Sequence, residues 1–155
     1  MKSQVVTGNY QDAKADALVV AVFKDEKPDS AFLAELDKTV GGLVSSVYEE
    51  EGFKGTAGET ALIRFKPSEK GKPGRLLLVG VGEESEYKAP QVGILAGTAV
   101  RFLLKRNIKS FALVTRSGVD AGEAASSAAQ CVVTSQFQID KYKTSEKKDT
   151  FLTSW

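Results

Sequence analysis

The run Ala17-Leu18-Val19-Val20-Ala21-Val22-Phe23 constrains this chain more than any other feature, because seven consecutive apolar residues leave no alternating polar face. Such a strand has to be covered on both sides, as strands inside parallel sheets are. It is therefore predicted to lie at the centre of a sheet. A second buried run, Leu76-Leu77-Leu78-Val79, falls within a predicted strand from Arg75 to Val81. Further strands are expected at Gln4 to Thr7, Thr60 to Phe65 and Phe111 to Thr115, with Pro67, Gly71, Pro73 and Gly74 punctuating the link from the Thr60 strand to the Arg75 strand.

Between these runs the apolar period changes to that of helices. Asp29 is placed to cap a helix whose Phe32, Leu33 and Leu36 share a side, with Val40 following before the break at Gly41-Gly42. Leu43, Val44, Val47 and Tyr48 mark a second helix that Gly52 can end. Glu49, Glu50 and Glu51 at its negative end read as a solvated terminus. Val92, Leu95, Ala96, Ala99 and Leu103 form one face of a helix from Pro90 to Arg106, and Ala124, Ala128, Cys131, Val132, Ser135 and Ile139 one face of another from about Gly122. Strands alternating with helices predict a three-layer α/β/α domain whose mixed sheet is mostly parallel, the Thr60 and Arg75 strands supplying an antiparallel element.

Composition narrows the chemistry. A length of 155 residues fits one compact domain, and 42% apolar residues support a core. With 21 basic and 20 acidic side chains there is no overall positive field for nucleic acid, and no membrane span is read. Cys131 is the single cysteine, so no internal disulfide forms, and a cytoplasmic setting is expected. Histidine is absent, which excludes Ser-His and Cys-His triads and removes the commonest transition-metal ligand. Carboxylate and lysine chemistry survives that test.

Each candidate site carries a plain structural reading. Gly80 and Gly82 close a buried strand, but Glu83, Glu84 and Glu86 follow and would repel a pyrophosphate, so a tight turn is expected. Gly52, Gly55 and Gly58 with Lys54 could cradle an anion, although a flexible connection into the Thr60 strand is preferred. Gly93 and Gly97, four apart on one helix, are read as close-packing positions. Cys131 is read as a small buried hydrophobe, and Lys141, Lys143, Lys147 and Lys148, diluted by Asp140, Glu146 and Asp149, as a solvated linker. No catalytic, cofactor-binding or metal residue is assigned. A chain ending in Phe151, Leu152 and Trp155 is expected to continue into a further domain.

Several segments in order carry a resemblance: Asp16-Ala17-Leu18-Val19-Val20, then Phe53-Lys54-Gly55-Thr56-Ala57-Gly58-Glu59, then Arg75-Leu76-Leu77-Leu78-Val79-Gly80-Val81-Gly82. Gly97-Thr98-Ala99-Val100-Arg101 and Phe137-Gln138-Ile139-Asp140-Lys141-Tyr142-Lys143-Thr144 complete it. In this order the chain resembles the amino-terminal domain of the leucyl aminopeptidase family, the cytosolic dinuclear-metal peptidases. The resemblance implies a macrodomain-like fold over residues 1–143 and a linker over 144–155, leading to a catalytic domain. It also implies that the two divalent metal ions, zinc or manganese, belong to that other domain, since the Asn-Thr-Asp-Ala-Glu-Gly-Arg stretch is absent here. A role in hexamer assembly and substrate access is the function it implies.

Two other functions stay open at this stage. A macrodomain-type module would bind ADP-ribose or a related nucleotide at the carboxyl ends of its strands, yet Phe23-Lys24-Asp25-Glu26 stands where an asparagine-rich stretch is expected, and the phosphate loop is reduced to Gly41-Gly42. An assembly or DNA-contact domain is the third, which the near-neutral charge neither supports nor excludes.

Overall fold

The computed structural model describes residues 9–135. The expected strand at Gln4 to Thr7, the end of the last helix at Ile139 and the segment from Gln136 to Trp155 lie outside them. Among the described residues four strands form one sheet in the order β2-β3-β1-β4: β1 (Ala17–Phe23), β2 (Thr60–Arg64), β3 (Arg75–Gly82) and β4 (Phe111–Val114). Strand β1 pairs in parallel with β3 and β4, whereas β2 pairs antiparallel with β3.

The central position of β1 follows from its sequence. Ala17, Val19, Ala21 and Phe23 face one core, and Leu18, Val20 and Val22 face the other. None of the seven is more than 5% exposed, so both faces are dry. Strand β2, at one end of the described strand order, alternates instead, burying Ala61 and Ile63 while Arg64 is exposed.

Helices α1 (Ala31–Thr39) and α2 (Leu43–Glu50) cover one face with Leu33, Leu36, Val44 and Val47. Helices α3 (Ala89–Leu104) and α4 (Ala121–Ser135) cover the other. The result is a three-layer α/β/α domain with a mixed, mostly parallel sheet.

The start of α1 differs from expectation. Ser30, not Asp29, occupies the position before the first turn, and its side chain makes no capping bond because the hydroxyl donates to Glu26 Oε1 at 3.0 Å. Helix α2 is capped from a distance: Asp37 Oδ1 accepts from the Val44 and Ser45 amides at 2.7 and 3.2 Å, and Oδ2 accepts from the Ser45 hydroxyl at 2.6 Å. A carboxylate on α1 thus serves the positive end of α2 and fixes the sharp turn through Gly41 and Gly42.

Gly93 and Gly97 do what close packing requires. A Cβ on Gly93 would stand 2.8 Å from Cys131 Sγ and closer still to Ser127 Oγ, both on α4. The two helices therefore touch along their backbones. Cys131 sits at that seam half-buried rather than fully enclosed, since Ala124, Ala128 and Val132 take the innermost stripe.

Candidate functional site

The carboxyl ends of β1, β3 and β4 meet where the chain turns one way to reach β3 and the other to reach β4, the point at which open α/β sheets usually carry a ligand crevice. Strand β4 stops at Val114, paired with Val20, and leaves the last residues of β1 without a neighbour on that side. Two side chains take over. Arg116 Nη1 donates to the Ala21 carbonyl at 3.0 Å, and Glu26 Oε2 accepts from the Phe23 amide at 3.1 Å.

The same two side chains meet as parallel forks. Arg116 donates to Glu26 at 2.7 Å through Nη2 and 3.1 Å through Nη1, with the two side chains only 11% and 10% exposed. The guanidinium also lies 4.6 Å from the Phe23 ring centre and 4.2 Å from that of Phe32. An ion pair taken from water needs such compensation: Glu26 accepts four hydrogen bonds, one of them from Ser30, and the arginine adds two aromatic faces. The crevice is filled from within by charge and aromatic rings.

Two phenols border it. Tyr87 packs edge-on against Phe23 at 5.2 Å, and Tyr48 against Phe53 at 5.6 Å. Both hydroxyls are buried, and neither has a partner that meets hydrogen-bond geometry. Burial pushes the Tyr48 phenol well above its usual value, with the nearby Glu26 charge adding and Arg116 opposing. Burial likewise raises Tyr87, against the pull of the Arg116 charge and backbone N–H, which lies near enough to favour the phenolate. Neither is poised to give up a proton near neutrality. At the rim Lys24 and Glu83 pair at 2.8 Å, and that hydrogen bond raises the ammonium pKa.

Gly80 is a strand residue rather than part of a tight turn. The backbone of Gly55 and Thr56 lies directly against it, so that any Cβ on Gly80 would collide with the Thr56 carbonyl. Around that contact the Gly58 amide donates to the Gly80 carbonyl at 2.9 Å, and the Gly80 amide to the Glu59 carbonyl at 2.7 Å. The Gly82 amide donates to the Gly55 carbonyl at 3.2 Å. The loop expected to be a flexible connection is tied to the sheet.

Its amides are also spoken for. Glu59 accepts from the Lys54 and Thr56 amides at 3.1 and 3.0 Å, and from the Thr56 hydroxyl at 3.0 Å. The anion cradle that the glycines suggested exists, and Glu59 fills it. The sequence holds the clue, since that carboxylate follows Gly58 directly. Arg116 and Glu26 offered no such clue, being ninety residues apart.

Cys131 lies at the seam between α3 and α4, against Gly93 and Gly97, and the lysines from Lys141 onward lie outside the described residues. Among the described residues no three His, Cys, Asp or Glu side chains gather to hold a metal ion, so the groups here do not fit a dinuclear centre. No described helix is long and apolar enough to cross a membrane.

Comparison with known proteins places this geometry. A family model described as the cytosol aminopeptidase family, N-terminal domain, matches residues 19–146. A probable cytosol aminopeptidase of Solibacter usitatus is 35% identical over 142 residues, covering 90% of this chain and 27% of that protein. Among solved structures, a mutant leucine aminopeptidase from tomato superposes with a TM-score of 0.75 at 23% identity, over 98% of this chain and 30% of the other. The macrodomain of Mycobacterium tuberculosis DarG superposes with a TM-score of 0.61 at 13% identity, over 86% and 89% of the two chains. The fold is macrodomain-like, and the chain spans about 30% of the length of the longer relatives.

Proposed function

The chain belongs to the cytosol aminopeptidase family as its amino-terminal domain, and on that premise we propose that it is the non-catalytic part of an enzyme removing amino-terminal residues from peptides. The proposed boundary places the domain at residues 1–143 and a linker at 144–155. In this reading the catalytic domain follows, carries two divalent metal ions, zinc or manganese, and works in the cytoplasm. The present domain supports assembly of a hexamer and shapes substrate access. The observation that carries the non-catalytic part of this reading is the Arg116–Glu26 pair, which occupies the crevice where an α/β sheet would hold a ligand.

The test is a leucyl-anilide hydrolysis assay of the 155-residue chain with added manganese or zinc, beside an ADP-ribose titration by calorimetry. No turnover and no saturable heat are expected. Metal-dependent hydrolysis would overturn the non-catalytic reading, and micromolar ADP-ribose binding would make the chain a nucleotide-binding module instead.

A further inference from the structure

The amino ends of the strands hold a second concentration of charge, at the opposite end of the sheet from the crevice. Arg64 and Arg75 face each other in the β2–β3 register. The neighbouring position is closed by the Phe65 amide donating to the Gly74 carbonyl at 3.0 Å. Arg64 and Arg75 therefore form the other, non-hydrogen-bonded type of antiparallel pair, in which opposed side chains stand closest. Both belong to the face that carries Leu62 and Leu77. Like charges placed directly opposite are destabilising.

No described carboxylate forms an ion pair with either side chain. Neither arginine has an ion-pair or hydrogen-bond partner among the described residues, Arg64 being exposed and Arg75 half-buried. The two line an open depression of about 320 Å³ together with Asp16, Phe65, Pro67 and Lys72. Asp16, the carboxylate of that lining, makes no ion pair with either arginine, and its Oδ2 accepts from the Ser110 amide and hydroxyl at 3.1 and 2.8 Å. Lys72 is held by Asp12 at 2.9 Å and by the Gln11 carbonyl at 3.0 Å. From position 64 to 75 the chain sets Arg64, Lys66, Lys70, Lys72 and Arg75 against Glu69 alone, in a protein whose formal charge is only +1.

We propose that Arg64 and Arg75 form a binding site for an oxyanion, a phosphate or carboxylate group of a small ligand, between two guanidinium forks. Each fork can donate two parallel hydrogen bonds to such a group, and an anion between them turns mutual repulsion into shared attraction. Pro67 supplies an apolar wall for the remainder of the ligand.

The experiment is thermal unfolding of the 155-residue chain in chloride, inorganic phosphate or succinate at matched ionic strength. Wild-type protein is expected to melt about 2–4 °C higher in phosphate or succinate than in chloride, the scale of a modest ligand on a domain this size. Arg64→Gln and Arg75→Gln should each remove that increment, which separates the site from the general stabilising effect of these anions. Arg75→Lys, which keeps the charge and loses the fork, should reduce it. A rise in phosphate alone identifies a phosphate site, and a rise in succinate a carboxylate site. Equal melting in all three salts, or an increment that survives in Arg64→Gln, overturns the proposal.

Discussion

Arg116 completes the ladder of a strand it does not belong to: its guanidinium bonds the Ala21 carbonyl at 3.0 Å while forking onto Glu26, whose own carboxylate holds the Phe23 amide. The pair thus replaces the neighbour that β1 loses where β4 ends. Removing either member leaves a charge in a nearly closed site together with an unbonded backbone group. Arg116→Ala or Glu26→Ala is expected to cost about 3–5 kcal/mol. Urea unfolding at neutral pH measures it, and a loss below about 1 kcal/mol would mean that the pair behaves as a surface ion pair.

Alkaline sensitivity follows from the two raised phenols. Tyr48 and Tyr87 hold their protons more tightly folded than unfolded. Their contribution is therefore complete below the ordinary tyrosine value of 10.0 and is lost as pH rises above it towards the folded values. Melting temperature should change little between pH 7 and 9 on their account and fall above pH 10. Tyr48→Phe and Tyr87→Phe should each flatten that fall. At pH 7 both changes should be neutral or mildly stabilising, because each deletes a buried hydroxyl that has no partner. Melting curves of the three proteins at a series of pH values decide the matter.

The helix seam offers a steric test. Gly93→Ala places a methyl group on Ser127 and Cys131 of the adjoining helix. The helix propensity gained from alanine is about 1 kcal/mol, and overpacking at about 1–3 kcal/mol should equal or outweigh it. Denaturant titration should find Gly93→Ala no more stable than wild type. Gly80→Ala should be the harsher change, since its methyl group meets backbone that other hydrogen bonds hold in place.

Asp37→Ala removes the carboxylate that joins two helices. A loss of about 0.5–2 kcal/mol is expected for a capping side chain. Exchange of the Val44 and Ser45 amides, which that carboxylate receives, should quicken with it. Hydrogen-exchange NMR reads both amides separately, and unchanged protection would show that the glycine turn alone positions α2.

Much of this architecture was legible in the chain because burial writes itself into local pattern. Strand β1 is apolar at every position since it has no wet face, and β2 alternates since its two faces are covered unequally. Gly93 and Gly97 announced close packing by their spacing alone. The contents of the crevice were not legible, because Glu26 and Arg116 look like any solvated charges until the sheet brings them together. Asp29 was the expected cap, but Ser30 holds that position and its side chain does not cap the helix, because the hydroxyl is drawn to Glu26. Cys131 was read one step too deep because an alanine-rich helix has a broad apolar side, of which, among the described residues, Ala124, Ala128 and Val132 reach the core.

The order of strands also sets a timetable for synthesis. Glu26 must wait ninety residues for Arg116, and a ribosome adding roughly 5–20 residues each second needs about 5–18 s to supply it. For all that time the seven apolar residues of β1 have emerged without their full cover. A chaperone that holds short hydrophobic runs therefore has its natural window on this chain from the emergence of β1 until α4, whose Ala124, Ala128 and Val132 complete one of its two cores, has followed.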